Sequence, residues 1–241
     1  MMSRKTLFLI PLIICIALCM TMLTGCESSK AKKQAAQFMN EKYGEEFTVE
    51  EASKHISWYA YLRSDEHPEY RIQARYDLNR PETLMDDYVQ QCVYGRFSKD
   101  VFSIIKTYFP HGYVRTTNAY DEYIDFGSNT NMSIQEMNKR CPNMGITIYI
   151  EKSDFSLQKA YNAMLAVREA YSDLDGDIVV IVIKDGKMEK VKKNIYNNDY
   201  VKKQMIGSSQ FAVIPLQGQP PSFGTFSKEF NDWGGVFEEK K

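Results

Sequence analysis

The stretch Ile178-Val179-Val180-Ile181-Val182-Ile183 decides the fold of the second half of this chain. Six consecutive β-branched residues with no polar position predict a strand that is buried on both faces and lies inside its sheet. Before it, alternating isoleucines over 146–150 predict a strand, and apolar residues at helical spacing over 157–171 predict a helix. After it, Asp185-Gly186 predicts a tight hairpin turn into a strand over 187–195. Together these elements predict a β-α-β-β unit.

The chain around and after this unit divides simply. A further strand is predicted over 211–216, so residues 144–216 form a predicted C-terminal module. Residues 217–241 contain many glycines and prolines and scattered aromatic side chains without a period. That composition predicts an irregular tail.

The first half contains a predicted hairpin and a predicted long helix. Residues 56–63 and 70–78 alternate between apolar and polar side chains, which predicts two antiparallel strands with one buried face. Apolar residues then recur at helical spacing over 82–108, with a slip near Gly95 that predicts a kink or two consecutive helices. We expect the hairpin to pack on this long helix.

A shorter helix over 31–43 is predicted before the hairpin, with Gly44 placed to end it. The predicted fold class is therefore α+β, with antiparallel hairpins on a long amphipathic helix, followed by the β-α-β-β unit. Residues 34–143 form the predicted N-terminal module, and we expect residues 144–216 to pack on it.

One face of the hairpin is a candidate binding face. If Trp58, Leu62, Ile72 and Tyr76 are buried, strand alternation presents the remaining side chains together on the other face. These are Tyr59, Tyr61, Arg63, Arg71, Gln73 and Arg75. Tyrosine and arginine are enriched at interface hot spots, so the face is a candidate for contact with a protein, peptide or glycan. The alternative is that cross-strand Tyr and Arg pairs only stabilise a solvated sheet face.

The N-terminus has the order of an export signal. Two cationic residues precede an apolar segment, 7–23, which is shorter than the roughly 20 residues that span a bilayer as a helix. The next residues, Leu23-Thr24-Gly25-Cys26, resemble the lipobox of bacterial lipoproteins at all four positions. This resemblance implies removal of residues 1–25 as a signal peptide and attachment of palmitate-type acyl chains to Cys26. An uncleaved signal anchor is the alternative.

The resemblance also implies a location and a tether. Residues 26–33 are polar and contain three lysines, which predicts a short lipidated tether at the extracytoplasmic face of the cell membrane. The phrase Lys42-Tyr43-Gly44-Glu45-Glu46-Phe47 is similar to one in uncharacterised lipoproteins of Gram-positive bacteria. It implies export and anchoring and carries no active site.

Charge and cysteine content narrow the function classes. The formal net charge is −1, which excludes a bulk nucleic-acid binder because such proteins are strongly basic. Of five cysteines, only Cys92 and Cys141 follow Cys26. They travel to a compartment that permits disulfides, yet we expect two thiols, with a disulfide as the alternative.

Several acidic segments could carry chemistry. Asp173-Leu174-Asp175-Gly176-Asp177 resembles the start of a calcium loop, but Ile178 stands where that loop needs glycine and Lys184 where it needs glutamate. We therefore predict a helix-to-strand connection there. Two further acidic groups could supply paired carboxylates for acid/base work, although acids also suit the first turn of a helix. They are Asp121, Glu122 and Asp125, and Asp86 with Asp87.

No motif predicts a metal, a cofactor or a catalytic nucleophile. His55, His67 and His111 are isolated in sequence, and none forms a zinc-binding pair. Two function classes remain. The first is an anchored binding or accessory protein, of which an immunity protein that occupies a toxin at the membrane is one version. The second is a surface hydrolase with an unrecognised site, and the sequence favours the first.

Overall fold

The computed structural model of the chain describes residues 28–77, 79–118, 124–206 and 212–232, without the side chains of 81–82, 212–213 and 229–232. The predicted signal peptide, Cys26 and the end of the tail lie outside these residues. The described chain divides into two compact units. Residues before Val89 and those of 124–128 form the first unit, and the others form the second.

The first unit contains one helix and a four-stranded antiparallel sheet. Helix α1 covers residues 28–43 and ends at Gly44, whose φ of 72° suits a glycine after a helix. The sheet has the order β1-β2-β3-β4. Its strands are β1 (Phe47–Lys54), β2 (Trp58–Ser64), β3 (Ile72–Asp77) and β4 (Arg80–Asp86).

The predicted hairpin is confirmed as β2 and β3, with Trp58 opposite Tyr76 in the register. Two strands flank it that the sequence analysis did not predict. In β1, a register shift between Val49 and Glu51 interrupts the two-residue period. β4 has strand alternation only near its end, where the buried Leu84 precedes the exposed Met85.

Helix α1 covers the buried face of this sheet. Ala31, Ala35 and Met39, one turn apart along α1, are fully buried. The hydroxyl of Tyr76 donates a hydrogen bond to the carbonyl oxygen of Ala31 at 2.7 Å. The expected tether over 26–33 is therefore corrected, because residues 28–33 already belong to the helix.

The predicted long helix over 82–108 is also corrected. Residues up to Asp86 belong to β4, and helix α2 runs from Tyr88 to Ile105 as one helix through Gly95. The acids at 86 and 87 suited a first helical turn, so the sequence pattern extended the helix backwards across the strand. Within the first unit, it is α1 that packs on the hairpin.

The second unit holds a mixed sheet of order β5-β6-β7-β8. β6 and β7 are parallel and are joined by α4, whereas β5 and β8 pair antiparallel to their neighbours. The predicted interior strand is confirmed as β7. The elements after α2 are β5 (Tyr113–Asn118), α3 (Ile134–Arg140), β6 (Met144–Glu151), α4 (Leu157–Ala170), β7 (Gly176–Ile183), α5 (Met188–Lys193), α6 (Asn198–Gln204), β8 (Ala212–Pro215) and α7 (Phe223–Asp232).

The α+β class is confirmed, but the β-α-β-β unit is corrected in its second turn. Gly186 has the positive φ that the turn prediction requires, at 69°, yet the chain continues into helix α5 and not into a strand. Met188, Val191 and Ile195 are buried at helical spacing in one cluster with Ile181 and Ile183 of β7. The antiparallel partner of β7 is β8, which follows two helices later.

Two boundaries also differ from the sequence prediction. Strand β5, placed by sequence in the 34–143 module, pairs with β6 from Tyr113↔Tyr149 to Asn118↔Met144. The tail expected to be irregular contains α7, whose Phe226 is fully buried. Phe226 packs against Tyr161 of α4 with ring centroids 5.1 Å apart, and this burial stabilises a helix despite Gly224.

Candidate functional site

The candidate binding face forms as one side of the β1–β4 sheet. Trp58, Leu62, Ile72 and Tyr76 are buried on the opposite side, as predicted. The six candidate side chains are half-buried or exposed on the open side. They are Tyr59, Tyr61 and Arg63 of β2, Gln73 and Arg75 of β3, and Arg71, which immediately precedes β3.

Guanidinium groups lie over the tyrosine rings of this face. The Arg71 guanidinium carbon is 3.8 Å from the centroid of the Tyr61 ring, which is stacking distance. The Arg75 carbon is 5.9 Å from the Tyr59 ring, and these two residues are directly opposite in the β2–β3 register. Flat aromatic and guanidinium surfaces are thus presented side by side.

Carboxylates of β1 balance part of the positive charge. Glu50 accepts a hydrogen bond from Arg63 Nε and lies 3.9 Å from Arg71 Nε. Glu51, opposite Tyr61 in the register, lies 3.5 Å from Arg71 Nη2. All four charged side chains remain 30–60% exposed, so these ion pairs are solvated and individually weak. The guanidinium groups are therefore oriented and still accessible.

The flanking strands add residues that the sequence analysis missed. Met85 of β4 is opposite Arg75 and is 43% exposed. Ser53 and Thr48 of β1 are opposite Tyr59 and Arg63. Strand alternation within 80–86 was the signal that could have revealed Met85, but the acids that follow favoured a helix.

A buried ionic cluster lies between the last turn of α1 and the end of β4 in the same unit. Lys42 Nζ is 2.8 Å from Asp86 Oδ2, and the Asp86 side chain is 1% exposed. The hydroxyl of Tyr43 donates to Asp86 Oδ1 at 2.7 Å, and the backbone N–H of Tyr88 donates to the same oxygen at 3.0 Å. Asp86 therefore has three donors, which compensate for the burial of its charge.

Residues of the segment 42–47 also make the contacts around this cluster. Glu45 Oε2 accepts a hydrogen bond of 2.6 Å from the buried hydroxyl of Ser64. Phe47 packs edge-on against Tyr88 with ring centroids 5.1 Å apart. The segment 42–47 thus forms the connection between helix α1 and strand β1. Lys42 and Tyr43 of this segment hydrogen-bond Asp86, whose side chain is enclosed.

The other acidic segments have structural partners. Asp125 lies 3.2 Å from Lys42 Nζ, whereas Asp121 and Glu122 lie outside the described residues. Asp87 Oδ1 accepts the backbone N–H of Gln73 at 2.7 Å. In the segment 173–177, the side chain of Asn138 bonds both backbone groups of Asp175, at 2.7 Å each, so the segment forms the predicted connection to β7.

The two described cysteines are buried thiols. Cys141 Sγ accepts a hydrogen bond of 2.8 Å from the side-chain amide of Asn118. Cys92 lies on the buried side of α2. The expectation of two thiols agrees with this arrangement. Among the described residues, no group of three His, Cys, Asp or Glu side chains is arranged to hold a metal ion.

In the second unit, Arg115 lies beside a group of tyrosines that was not predicted from the sequence. Arg115 of β5 donates to the carbonyl oxygen of Ile195 at 2.8 Å and lies 4.9 Å from the ring centroid of Tyr196. Burial raises the pKa of the neighbouring Tyr113 to about 12. Arg115 fixes the segment after α5 against the sheet, and we assign it a structural role.

The described architecture is that of an α+β protein with two four-stranded sheets. The crystal structure of a DUF5037 family protein from Ruminococcus gnavus ATCC 29149 is similar to it, with a TM-score of 0.57 and 16% sequence identity. The match covers 83% of this chain and 98% of that chain, and at this identity it shows a shared fold. No protein-family model and no curated protein matches the chain.

Proposed function

We propose that this chain is a lipid-anchored extracytoplasmic binding protein whose working surface is the open face of the β1–β4 sheet. The observation that carries the proposal is the convergence of Tyr59, Tyr61, Arg63, Arg71, Gln73 and Arg75 on that face. These side chains combine rigid rings with oriented guanidinium groups, which is the chemistry of interface hot spots. An envelope protein or peptide is the expected partner class, with a glycan next.

Anchoring is supported by the sequence around Cys26. The lipobox match and the cationic start are typical of the signal of a bacterial lipoprotein. Two acyl chains bury enough methylene groups, at ~0.8 kcal/mol each, to hold a protein at a bilayer where a single chain is marginal. Across the part of the chain that the structure describes, no helix has the length and apolar character needed to cross a membrane.

The hydrolase alternative requires ionisable groups that a substrate can reach. The most deeply buried acid described in the first unit, Asp86, is 1% exposed and is held by Lys42 and Tyr43. Its geometry suits a structural anion, because its hydrogen-bonding capacity is used within the fold. We therefore retain the binding function as the proposal. An immunity protein that occupies a toxin at the membrane is a special case of it.

The binding face is tested by capture of partners from detergent-solubilised cell envelope. The lipidated full chain serves as bait and is compared with the double variant Tyr59→Ala/Arg71→Ala. The matched control is Tyr200→Ala/Lys203→Ala, which removes the same residue type and one cation from helix α6. We expect the partner to be lost only with the first variant. Retention of the full partner set by Tyr59→Ala/Arg71→Ala would remove this face from consideration.

Folding of the variants is measured in parallel. Each exposed cation–π contact contributes only about 0.5–1 kcal/mol, so the Tyr59→Ala/Arg71→Ala variant should remain folded with a melting temperature near that of the wild type. If the melting temperature drops strongly, lost capture could result from unfolding. The conservative variant Arg71→Lys then separates unfolding from loss of the binding contact. Arg71→Lys keeps the charge but not the planar stacking surface.

Anchoring is tested separately through Cys26→Ala. The variant should accumulate as an unprocessed precursor, and it should incorporate no labelled fatty acid. Normal maturation of Cys26→Ala would overturn the anchoring part of the proposal and leave the binding face to be judged by capture alone.

A further inference from the structure

An isoleucine at a hairpin tip is almost fully exposed. Ile56 lies in the three-residue loop between Lys54 of β1 and Trp58 of β2, which are paired across the hairpin. Its side chain is 98% exposed, and it is one of two large hydrophobic residues that the described chain exposes. The loop backbone is ordered by a 3.0 Å hydrogen bond from the His55 N–H to the Ser57 carbonyl oxygen. The turn therefore presents Ile56 in a fixed place.

The tip lies at the same end of the sheet as the start of α1. Trp58, the first residue after the loop, pairs with Tyr76, and the Tyr76 hydroxyl bonds the Ala31 carbonyl oxygen in the first turns of α1. Lys32 of the same helix donates to the carbonyl oxygen of Glu50 in β1 at 3.0 Å. The chain enters the first unit beside the tip.

Chain lengths limit the distance between the tip and the predicted lipid site. Ser28 precedes Ala31 by three residues, or ~4.5 Å of helix rise. Ile56 lies two residues beyond Trp58, at most ~7 Å of extended chain. Cys26 precedes Ser28 by two residues, and this link is also no longer than ~7 Å. Acyl chains on Cys26 would therefore keep the hairpin tip close to the bilayer.

The charges at this end suit an anionic membrane surface. Lys30 and Lys33 of α1 and Lys54 at the tip are exposed, and the Arg80 side chain is 69% exposed. Asp77 pairs with Arg80 at 3.4 Å, whereas the β1 carboxylates Glu50 and Glu51 pair with Arg63 and Arg71. The backbone N–H of Asn79, together with Arg80 and Lys54, lowers the pKa of Asp77. Cations predominate nearest the tip.

We propose that the tip Lys54-His55-Ile56 is a membrane-contact site, with Ile56 inserted at the boundary between headgroups and acyl chains and the surrounding lysines at anionic headgroups. The site rests on the proposed lipidation of Cys26, which limits the distance between tip and bilayer. Its consequence is a fixed orientation of the first unit, because two points of contact restrict rotation about the anchor.

The test uses the full chain in isolated membranes, with His55→Cys labelled by an environment-sensitive fluorophore. Cys92 and Cys141 are buried and so should react slowly. The control position is Glu66→Cys, exposed in the loop at the other end of β2. Lipids with a nitroxide in the acyl chain are then added. We expect blue-shifted and quenched emission at position 55 and neither effect at position 66.

A second variant isolates the isoleucine itself. In the His55→Cys background, Ile56→Asp should reduce quenching several-fold, because a carboxylate opposes insertion. Ile56 makes no buried contact, so the change should not unfold the protein. Equal quenching with Ile56 and Ile56→Asp overturns the contact site.

The lipid on Cys26 is measured by mass in the same sample. A lipidated chain with an unquenched label at position 55 overturns the contact site and leaves the anchoring intact. An unlipidated chain with a quenched label overturns the anchoring and leaves the membrane contact. An unlipidated chain with an unquenched label overturns both the anchoring and the contact site.

Discussion

Lys42 Nζ and Asp86 Oδ2 form a 2.8 Å ion pair between the last turn of α1 and the end of β4, with side chains that are 15% and 1% exposed. Removal of one partner of a buried pair leaves an uncompensated charge. We expect Asp86→Ala to destabilise the first unit by about 3 kcal/mol, because Lys42, Tyr43 and the Tyr88 N–H all lose their acceptor.

Hydrogen exchange with mass readout is the suitable measurement for Asp86→Ala, because two units need not unfold together. Protection should fall in the peptides of α1 and β1–β4. Asp65→Ala, an exposed acid in the loop after β2, is the control and should change stability by no more than about 0.5 kcal/mol. Equal protection in Asp86→Ala and the wild type would contradict a stabilising role for the cluster.

Gly176 is a position where any side chain collides with backbone. A Cβ placed there would lie 2.2 Å from the carbonyl oxygen of Met144, which is its partner in the parallel β6–β7 register. We expect Gly176→Ala to cost about 3 kcal/mol or more in thermal or denaturant unfolding of the second unit. Gly145→Ala, whose Cβ would meet only Thr117 at 3.5 Å, is the matched control in the adjacent strand.

The two glycine variants should therefore separate clearly. Gly145→Ala is expected to be neutral or stabilising by up to about 1 kcal/mol, because alanine loses less backbone entropy on folding. Similar stabilities of the two variants would show that β6 and β7 are not in the described register.

Buried tyrosines predict a loss of stability at alkaline pH. Burial raises the pKa of Tyr76, Tyr94 and Tyr113 to about 12 each, whereas an unfolded tyrosine titrates near pH 10. Between about pH 10 and 12 the folded state binds more protons than the unfolded state. The free energy of unfolding should therefore be unaffected by these groups below about pH 10 and fall as pH rises through that window.

Tyr113→Phe tests this pH dependence because it removes one of the titrating hydroxyl groups. Its unfolding free energy should fall less steeply above pH 10, by up to ~1.4 kcal/mol per pH unit. Tyrosinate absorbance, followed in the folded protein, should show one fewer late-titrating ring. An unchanged slope would contradict the burial of Tyr113.

Cys92 and Cys141 should behave as protected thiols. Because both are buried, alkylation should be slow in the folded protein and complete after unfolding, with no reductant required. Intact mass after alkylation in denaturant gives the result. Failure to alkylate both without reductant would indicate a disulfide between them.

The candidate face could be predicted from sequence because it depends on one local rule. Side chains alternate along a strand, so the order of residues in β2 and β3 was enough to separate Trp58 from Tyr59. The same rule failed for β1, where the shift at Val49/Glu51 changes the phase, and for β4, which is an edge strand. In β4 the residues before Leu84 are Arg80-Pro81-Glu82-Thr83, which show no apolar alternation.

Another error arose where a turn signal was given more weight than the spacing of the residues after it. In α5 and just after it, Met188, Val191 and Ile195 have helical spacing, but the Asp185-Gly186 turn led to the prediction of a strand. The ionic cluster could not be predicted from local sequence patterns. Lys42 and Asp86 are 44 residues apart, and Asp125 follows after another strand and helix. Such contacts depend on topology, which sequence periodicity does not encode.

The interrupted chain path of the first unit has a consequence for the order of assembly. Helix α1 and strands β1–β4 are complete by Tyr88, but the segment 124–128 that supplies Asp125 to Lys42 is synthesised only after α2 and β5. At about 5–20 residues per second, synthesis separates these events by seconds. The contact of Lys42 with Asp86 can therefore precede its contact with Asp125. Residues 124–128 then add Asp125, whose side chain is 67% exposed, as a second carboxylate on Lys42.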